Sequence, residues 1–305
     1  MTAAIELCGV SKRFGGVMAV HDVSFALAPC EIVALVGHNG AGKTTLMKLM
    51  LGLIHPTAGS LAVLGENPAA GQFTAHRRLG YLPESASFNA ALTGREVLAF
   101  YARLKGEPVG AAGLLLERVG LAEAAARRVG TYSKGMRQRL GLAQALLGHP
   151  RVLLLDEPTT GLDPAFRRSF YDIVRALRDD GATVLLSSHA LTELEERAQR
   201  VIIMNRGMMA ANGTLAELRD LAQLPTRIVL TLRDGVEAAA AQRLARGGSA
   251  RPINGHALEL VCAERDKMAM LRSLAAQDDV SDLEVVPPSL DDLYSHFLQS
   301  REGPA

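Results

Sequence analysis

The stretch Ile32-Val33-Ala34-Leu35-Val36-Gly37-His38-Asn39-Gly40-Ala41-Gly42-Lys43-Thr44-Thr45 decides how the rest of the chain is read. Its first five residues are apolar, three of them β-branched, and predict a buried strand. A glycine-rich turn follows. Leu46, Met47, Leu49, Met50 and Leu53 then recur at helical spacing. The pattern G-x-x-x-x-G-K-T is complete at Gly37, Gly42, Lys43 and Thr44, in the strand–loop–helix setting that its chemistry requires. Glycines let the backbone N–H groups of residues 37–45 close around an anion, and the helix N-terminus adds partial positive charge. Lys43 suits the β- and γ-phosphates and Thr44 suits Mg²⁺. This is the signature of a nucleotide site.

Composition sets the frame around it. With 305 residues, 48% hydrophobic and 21% charged, the chain has room for one large globular domain and a smaller one. A net charge of +1 gives no electrostatic case for nucleic acid or lipid headgroups. Apolar runs such as Val152–Leu155 and Val184–Leu186 stop far short of the ~18 residues of a membrane span. No charged segment followed by an apolar one opens the chain, so no signal peptide is expected. Cys8, Cys30 and Cys262 have no paired spacing, which fits a reducing cytoplasm. The histidines show no ligand-like spacing, and the methionines read as core filler.

Outward from the phosphate loop, Ile5–Cys8 and Val23–Leu27 alternate like antiparallel strands, and Gly59–Leu64 and Arg78–Leu82 suggest two more. From about 90 to 150 the period becomes helical. Thr93-Gly94-Arg95-Glu96 predicts a capping box opening a helix, with further helices at 111–119 and 134–147. Strand signals return at Arg151–Asp156, Thr183–Ser187 and Val201–Met204, separated by helical stretches at 165–179 and 191–198. Parallel βαβ units follow from that alternation. Near Leu224-Pro225 the pattern breaks, which places a domain boundary between 1–223 and 224–305. The second part reads β-α-β-β-α-β, with a helix at 236–246 and a hairpin turning at Asn254-Gly255. The expected fold class is therefore α/β, a P-loop domain with a mixed sheet, an antiparallel subdomain and a helical subdomain at about 85–150. A small α+β, ferredoxin-like domain follows it.

A second patch of chemistry lies at Val152-Leu153-Leu154-Leu155-Asp156-Glu157, an apolar strand ending in two acids. Ligands of parallel sheets gather at strand C-terminal ends, so both acids should face the phosphate loop. Asp156 suits Mg²⁺, and Glu157 could orient or deprotonate the attacking water. Phe14, ahead of Gly15-Gly16, could stack on a purine.

These residues resemble the ATP-binding subunits of ABC transporters over about residues 4–220. Phe14 stands where that family has an adenine-stacking aromatic, and Gly37–Thr45 matches Walker A. Glu84 falls where a glutamine is usual. Tyr132-Ser133-Lys134-Gly135-Met136 takes the place of the signature LSGGQ. Asp156 and Glu157 match Walker B and the adjacent catalytic acid, Asp163 lies in the D-loop Gly161-Leu162-Asp163, and His189 matches the switch histidine. The resemblance implies ATP hydrolysis with Mg²⁺ held by Thr44, Glu84 and Asp156. It also implies that Ser133, Lys134, Gly135 and Met136 meet the ATP of a second, identical subunit. Tyr81-Leu82-Pro83-Glu84 and Pro288–Tyr294 are similar to the ABC-2 branch. Within it, Tyr132–Gly148 and Gly37–Gly40 resemble the Nos type, which supports copper-centre maturation of nitrous oxide reductase. Expected partners are polytopic permease subunits and, in that system, a periplasmic accessory protein, with no nucleic acid. The expected place is the cytoplasmic face of the inner membrane, reached through the permease. A non-transport ATPase acting on nucleic acid is the competing class; the single cassette and near-neutral charge disfavour it.

Overall fold

A computed structural model describes residues 2–70, 74–233, 250–254 and 256–299. It divides into two compact units, Met1–Asn212 and Gly213–Ala305.

The first unit is built on a sheet whose strands are apolar along their whole length, as strands covered on both faces must be. β3 (Ile32–Val36), β6 (Val152–Asp156) and β7 (Thr183–Ser187) are buried at every position. With β5 (Leu79–Leu82), β8 (Arg200–Asn205) and β9 (Met208–Gly213) they form one sheet in the order β5-β6-β7-β3-β8-β9. The pairs from β5 through β8 are all parallel. β8 and β9 are joined by Arg206-Gly207, both at positive φ, the backbone of a tight hairpin turn. Because β7 lies between β6 and β3, the segments that follow these three strands emerge side by side at one edge. That edge carries the site.

An antiparallel sheet, β2-β1-β4, contains β1 (Ile5–Phe14), β2 (Val17–Leu27) and β4 (Ala58–Val63). One apolar cluster joins it to the main sheet and to α1 (Lys43–Met50), with Ile5, Leu7 and Val10 packed alongside Val33, Leu35, Leu46, Met47 and Leu154.

The helical subdomain holds α2 (Gly94–Lys105), α3 (Ala111–Arg118) and α4 (Lys134–Ala145). The capping box at Thr93 is formed. Its hydroxyl accepts from Glu96 N at 3.2 Å, and Glu96 accepts from Thr93 N at 2.7 Å. At the far end of α2, Lys105 Nζ donates to Leu79 O and Leu147 O, both at 2.8 Å, tying the helix to the main sheet. Beyond β6, α5 (Pro164–Asp179) covers the sheet with Phe166, Phe170, Ile173, Val174 and Leu177. The helical stretch expected at 191–198 contracts to α6 (Leu191–Glu195).

The second unit has its own core, of Ile228, Leu230, Leu232, Leu258, Leu260, Cys262 and Leu274. β10 (Thr226–Leu232), β11 (Ala250–Asn254), β12 (Ala257–Cys262) and β13 (Val280–Val286) form an antiparallel sheet, ordered β11-β12-β10-β13. This is the order a β-α-β-β-α-β chain gives when its two halves interleave. The second crossover helix is Lys267–Ala275. The helix expected at 236–246, and Gly255 of the hairpin turn, lie outside the described residues. The division falls before α7 (Leu215–Ala222), ahead of the proline that the sequence marks as the break. The reason is long-range: Arg219 Nε of α7 donates to Pro288 O at 2.8 Å, beside the last described helix, Leu290–Gln299.

Candidate active site

A cleft of about 410 Å³ opens where β3, β6 and β7 end. It is lined by His38–Thr45, Glu84, Asp156, Glu157 and His189, with Val17, Met18 and Ala19 of β2 on one wall. The fold thus brings together the phosphate loop, both acids, the loop acid and the switch histidine.

The loop's shape depends on Gly42. It caps α1 at φ 102°, and a Cβ there would stand 2.7 Å from Ala19 O. Lys43 is buried, its ammonium donating to Gly37 O and, at 3.3 Å, to His38 O. Burial lowers its pKa, opposed by the carboxylates of Glu157, Asp156 and Glu84. Thr44 Oγ1 donates to Asp156 Oδ2 at 2.8 Å. Asp156 Oδ1 accepts from Ser187 Oγ at 2.6 Å, and Ser187 Oγ accepts from Glu157 N at 3.0 Å. Ser187 therefore fixes both acids. Its place follows from the β6–β7 register, which pairs Asp156 with Ser187.

Glu157 leaves the strand at φ 48°, a left-handed conformation that costs a non-glycine residue of order 1 kcal/mol or more. Its side chain is buried, and burial pushes its carboxyl above the ordinary value while His189 opposes the shift. Oε2 accepts from His189 N at 3.3 Å. Oε1 is buried with no hydrogen-bond partner. His189 Nε2 lies 3.2 Å from that oxygen, but its hydrogen-bonding geometry is satisfied toward Asn39 Oδ1, also 3.2 Å away. His38 spans the loop base, its ring 2.7 Å from Asn39 O and 3.1 Å from Asn205 Oδ1.

Three expected elements lie off this cleft. Phe14 is exposed, with Lys12 Nζ 5.0 Å above its ring, and Val17–Ala19 line the wall instead. Ser133 caps α4 by accepting from Met136 N at 3.2 Å; it and Lys134 are exposed and line no part of the cleft. Gly135 abuts the D-loop: a Cβ on it would be 2.8 Å from Gly161 O. Asp163 is taken up as the cap of α5, accepting from Phe166 N at 2.8 Å, which holds its carboxyl below the usual range. Ser187, Asn205 and the Val17–Ala19 wall join the site without a local sequence signal that marks them for it. Ser187 stands two residues before His189, yet nothing local says which way it faces.

The residues fit a magnesium-bound nucleotide. The glycine loop packs tightly on its neighbours, a Cβ at Gly37 or Gly42 standing 2.7 Å from Met204 O or Ala19 O, and Glu157, which lines the same cleft, has Oε1 without a hydrogen-bond partner. Among the described residues no cluster of His, Cys, Asp or Glu would hold a metal by itself. A hydroxyl and a carboxylate 2.8 Å apart instead match the way Mg²⁺ binds, through few protein ligands and substrate phosphates.

Comparison with known proteins agrees. The model of the family described as ABC transporter matches residues 20–160. The uncharacterized ABC transporter ATP-binding protein YxlF of Bacillus subtilis is 44% identical over 212 residues, covering 67% of this chain and 69% of its own. The daunorubicin resistance ATP-binding protein DrrA3 of Streptomyces coeruleorubidus is 34% identical over 310 residues, 96% of this chain and 95% of its own. The Nod factor export ATP-binding protein I of Burkholderia lata is 39% identical over 215 residues, covering 69% and 71%. Among solved structures, an ATP-binding subunit of an ABC transporter superposes with TM-score 0.68 at 31% identity, over 72% of this chain and 93% of its own. A cassette solved as a dimer with ADP and Pi shares the fold at TM-score 0.65 and 23% identity, over 69% and 98%. The phosphate cleft and these likenesses lead to one conclusion: the chain belongs to the ATP-binding, ATP-hydrolysing proteins of the ABC transporter family.

Proposed function

We propose that this chain is the motor of an ABC-2-type exporter. Two identical copies close head-to-tail around two ATP molecules and drive separate polytopic permease subunits at the cytoplasmic face of the inner membrane. The observation that carries this reading is the separation of the Ser133–Met136 segment from the cleft of its own chain. A helix N-terminus attracts anions, and this one, capped by Ser133, lines no part of the phosphate cleft of its own chain. A second copy completes the site. Each nucleotide then contacts both copies only in the closed state, so binding energy becomes closure.

Within one cleft the roles divide by chemistry. Backbone N–H groups of residues 37–45 and the Lys43 ammonium hold the phosphates, and burial already biases Lys43 toward a nearby anion. Thr44, Asp156 and Glu84 would hold Mg²⁺, which neutralises charge on the β- and γ-oxygens when bound. Glu157 orients the attacking water through Oε1 and accepts its proton; burial raises its basicity. His189 and the facing Ser133 steady the γ-phosphoryl group.

The test uses Glu157→Gln, which stalls hydrolysis while leaving binding. With ATP, light scattering should show this variant at twice the 32.5 kDa chain mass. Adding Ser133→Arg should abolish the dimer while nucleotide binding persists. A chain that stays monomeric at saturating ATP overturns the head-to-tail reading.

Two of the named relatives are a daunorubicin resistance protein and a Nod factor export protein, which favours export, with the cargo chosen by the permease. The phrase Tyr132–Gly148 favours a second reading, a Nos-type system with a periplasmic accessory protein. Deleting the gene separates them: loss of the copper-centre absorption of nitrous oxide reductase selects the Nos reading, and intact absorption with lost export selects the first.

A further inference from the structure

His189 Nε2 is equidistant, at 3.2 Å, from two oxygens, Glu157 Oε1 and Asn39 Oδ1. Only the contact to Asn39 has the geometry of a hydrogen bond, and Glu157 Oε1 is left buried and unbonded. The main chain repeats the choice, since His189 N already holds the other carboxylate oxygen, Oε2. We propose that Asn39 is a positioning residue for hydrolysis, a latch that holds the ring of His189 on the phosphate loop and off Glu157 Oε1.

Titratable and charged groups face the ring from three elements, and geometry decides between the two acceptors. Glu157 approaches from the end of β6 with Asp156 behind it. Lys43 and His38 face the cleft from the phosphate loop, and Glu84 from the loop after β5. Were the ring to pair with Glu157, both carboxylate oxygens would be engaged by His189, and the charge-assisted bond on Oε1 would weaken the base. Asn39 offers the N–H an acceptor at the mouth of the cleft, where the ring is about half exposed. The latch is also built to open. A hydrogen bond to an ionised phosphoryl oxygen is roughly twice as strong as one to a neutral amide, so an occupied loop draws the same N–H away from Asn39.

This inference rests on the proposed hydrolytic site but is tested without nucleotide or turnover. Protein with ¹⁵N-labelled histidine is examined at one pH by long-range imidazole NMR, with His189→Gln assigning the ring. Asn39→Ala should shift both ring nitrogens of His189, as the tautomer held by Asn39 is lost. Glu157→Gln, which removes a nearby charge but not the bonded acceptor, should shift them less. Asn39 is an exposed loop residue, so its truncation should spare the fold, and the remaining histidine signals check this in the same spectra. An unmoved His189 in Asn39→Ala, or a shift confined to Glu157→Gln, overturns the latch. Failure of the parent protein to hydrolyse ATP would sink the functional reading and leave these spectra unaffected.

Discussion

Glu157 combines three costs at one position: a left-handed backbone, a buried carboxylate and an unbonded oxygen. Such strain is sustained only where the surroundings enforce it, here by Ser187 on its N–H and His189 N on its Oε2. Glu157→Gln should therefore lower kcat by about 10²–10⁴-fold with little change in ATP affinity. The same variant should also stabilise the fold, by about 2–4 °C in Tm per ~1 kcal/mol relieved. The sign follows from linkage. Because the folded pKa lies above the ordinary 4.5, the folded state binds more protons than the unfolded, and stability falls as pH rises through that window. Activity runs the other way, falling as acid protonates the base. A pH–rate profile and melts of the two proteins check both. The identity of this residue was legible in the sequence because an apolar strand followed by two acids is a local pattern. Ser187 was not, because its role exists only in the register between strands thirty residues apart.

At the scale of elements, the phosphate loop and the Thr93 capping box could be read directly, since glycine, lysine and cap chemistry act within a few residues. The tie between α2 and the sheet could not. Lys105 sits at the end of an amphipathic helix, where a lysine normally points to water, yet its ammonium bridges carbonyls that are distant in sequence. Burial pulls its pKa down to about 8 from 10.5, opposed by Glu107. The unfolded chain therefore binds more protons than the folded one between these values, and this group makes stability rise with pH from about 8 to 10.5. Lys105→Met should remove that component, worth about 1–3 kcal/mol, and flatten the difference between denaturation curves recorded at pH 8 and pH 10. An identical pH dependence in both proteins would place the Lys105 ammonium in solvent. The variant also leaves two carbonyls without their donor, so stability at pH 7 tests whether that bridge outweighs the desolvation of the charge.

For the whole molecule, the sequence pattern breaks at Leu224-Pro225, whereas the compact units divide after Asn212, and α7 goes with the second through contacts no local signal carries. Every residue of the cleft lies in the first unit, and among the described residues the first unit's core cluster reaches no further than Met209. The second unit closes its own core with Ile228, Leu230, Leu258 and Leu260. Two separate cores predict two separable units. A chain ended after Gly213, keeping β9 intact, should fold cooperatively and bind ATP within about threefold of the full-length protein, since no side chain touching the cleft is removed. The assignment of the remainder as an accessory domain for docking or for dimer support then becomes measurable. If that is its role, the shortened chain carrying Glu157→Gln should need more ATP to dimerise, or should fail to assemble with its permease, while its nucleotide affinity stays put. Calorimetric titration and light scattering on the same sample separate these outcomes. Loss of nucleotide binding on truncation would show instead that the second unit helps to form the cleft, and equal assembly by both chains would strip it of the docking role.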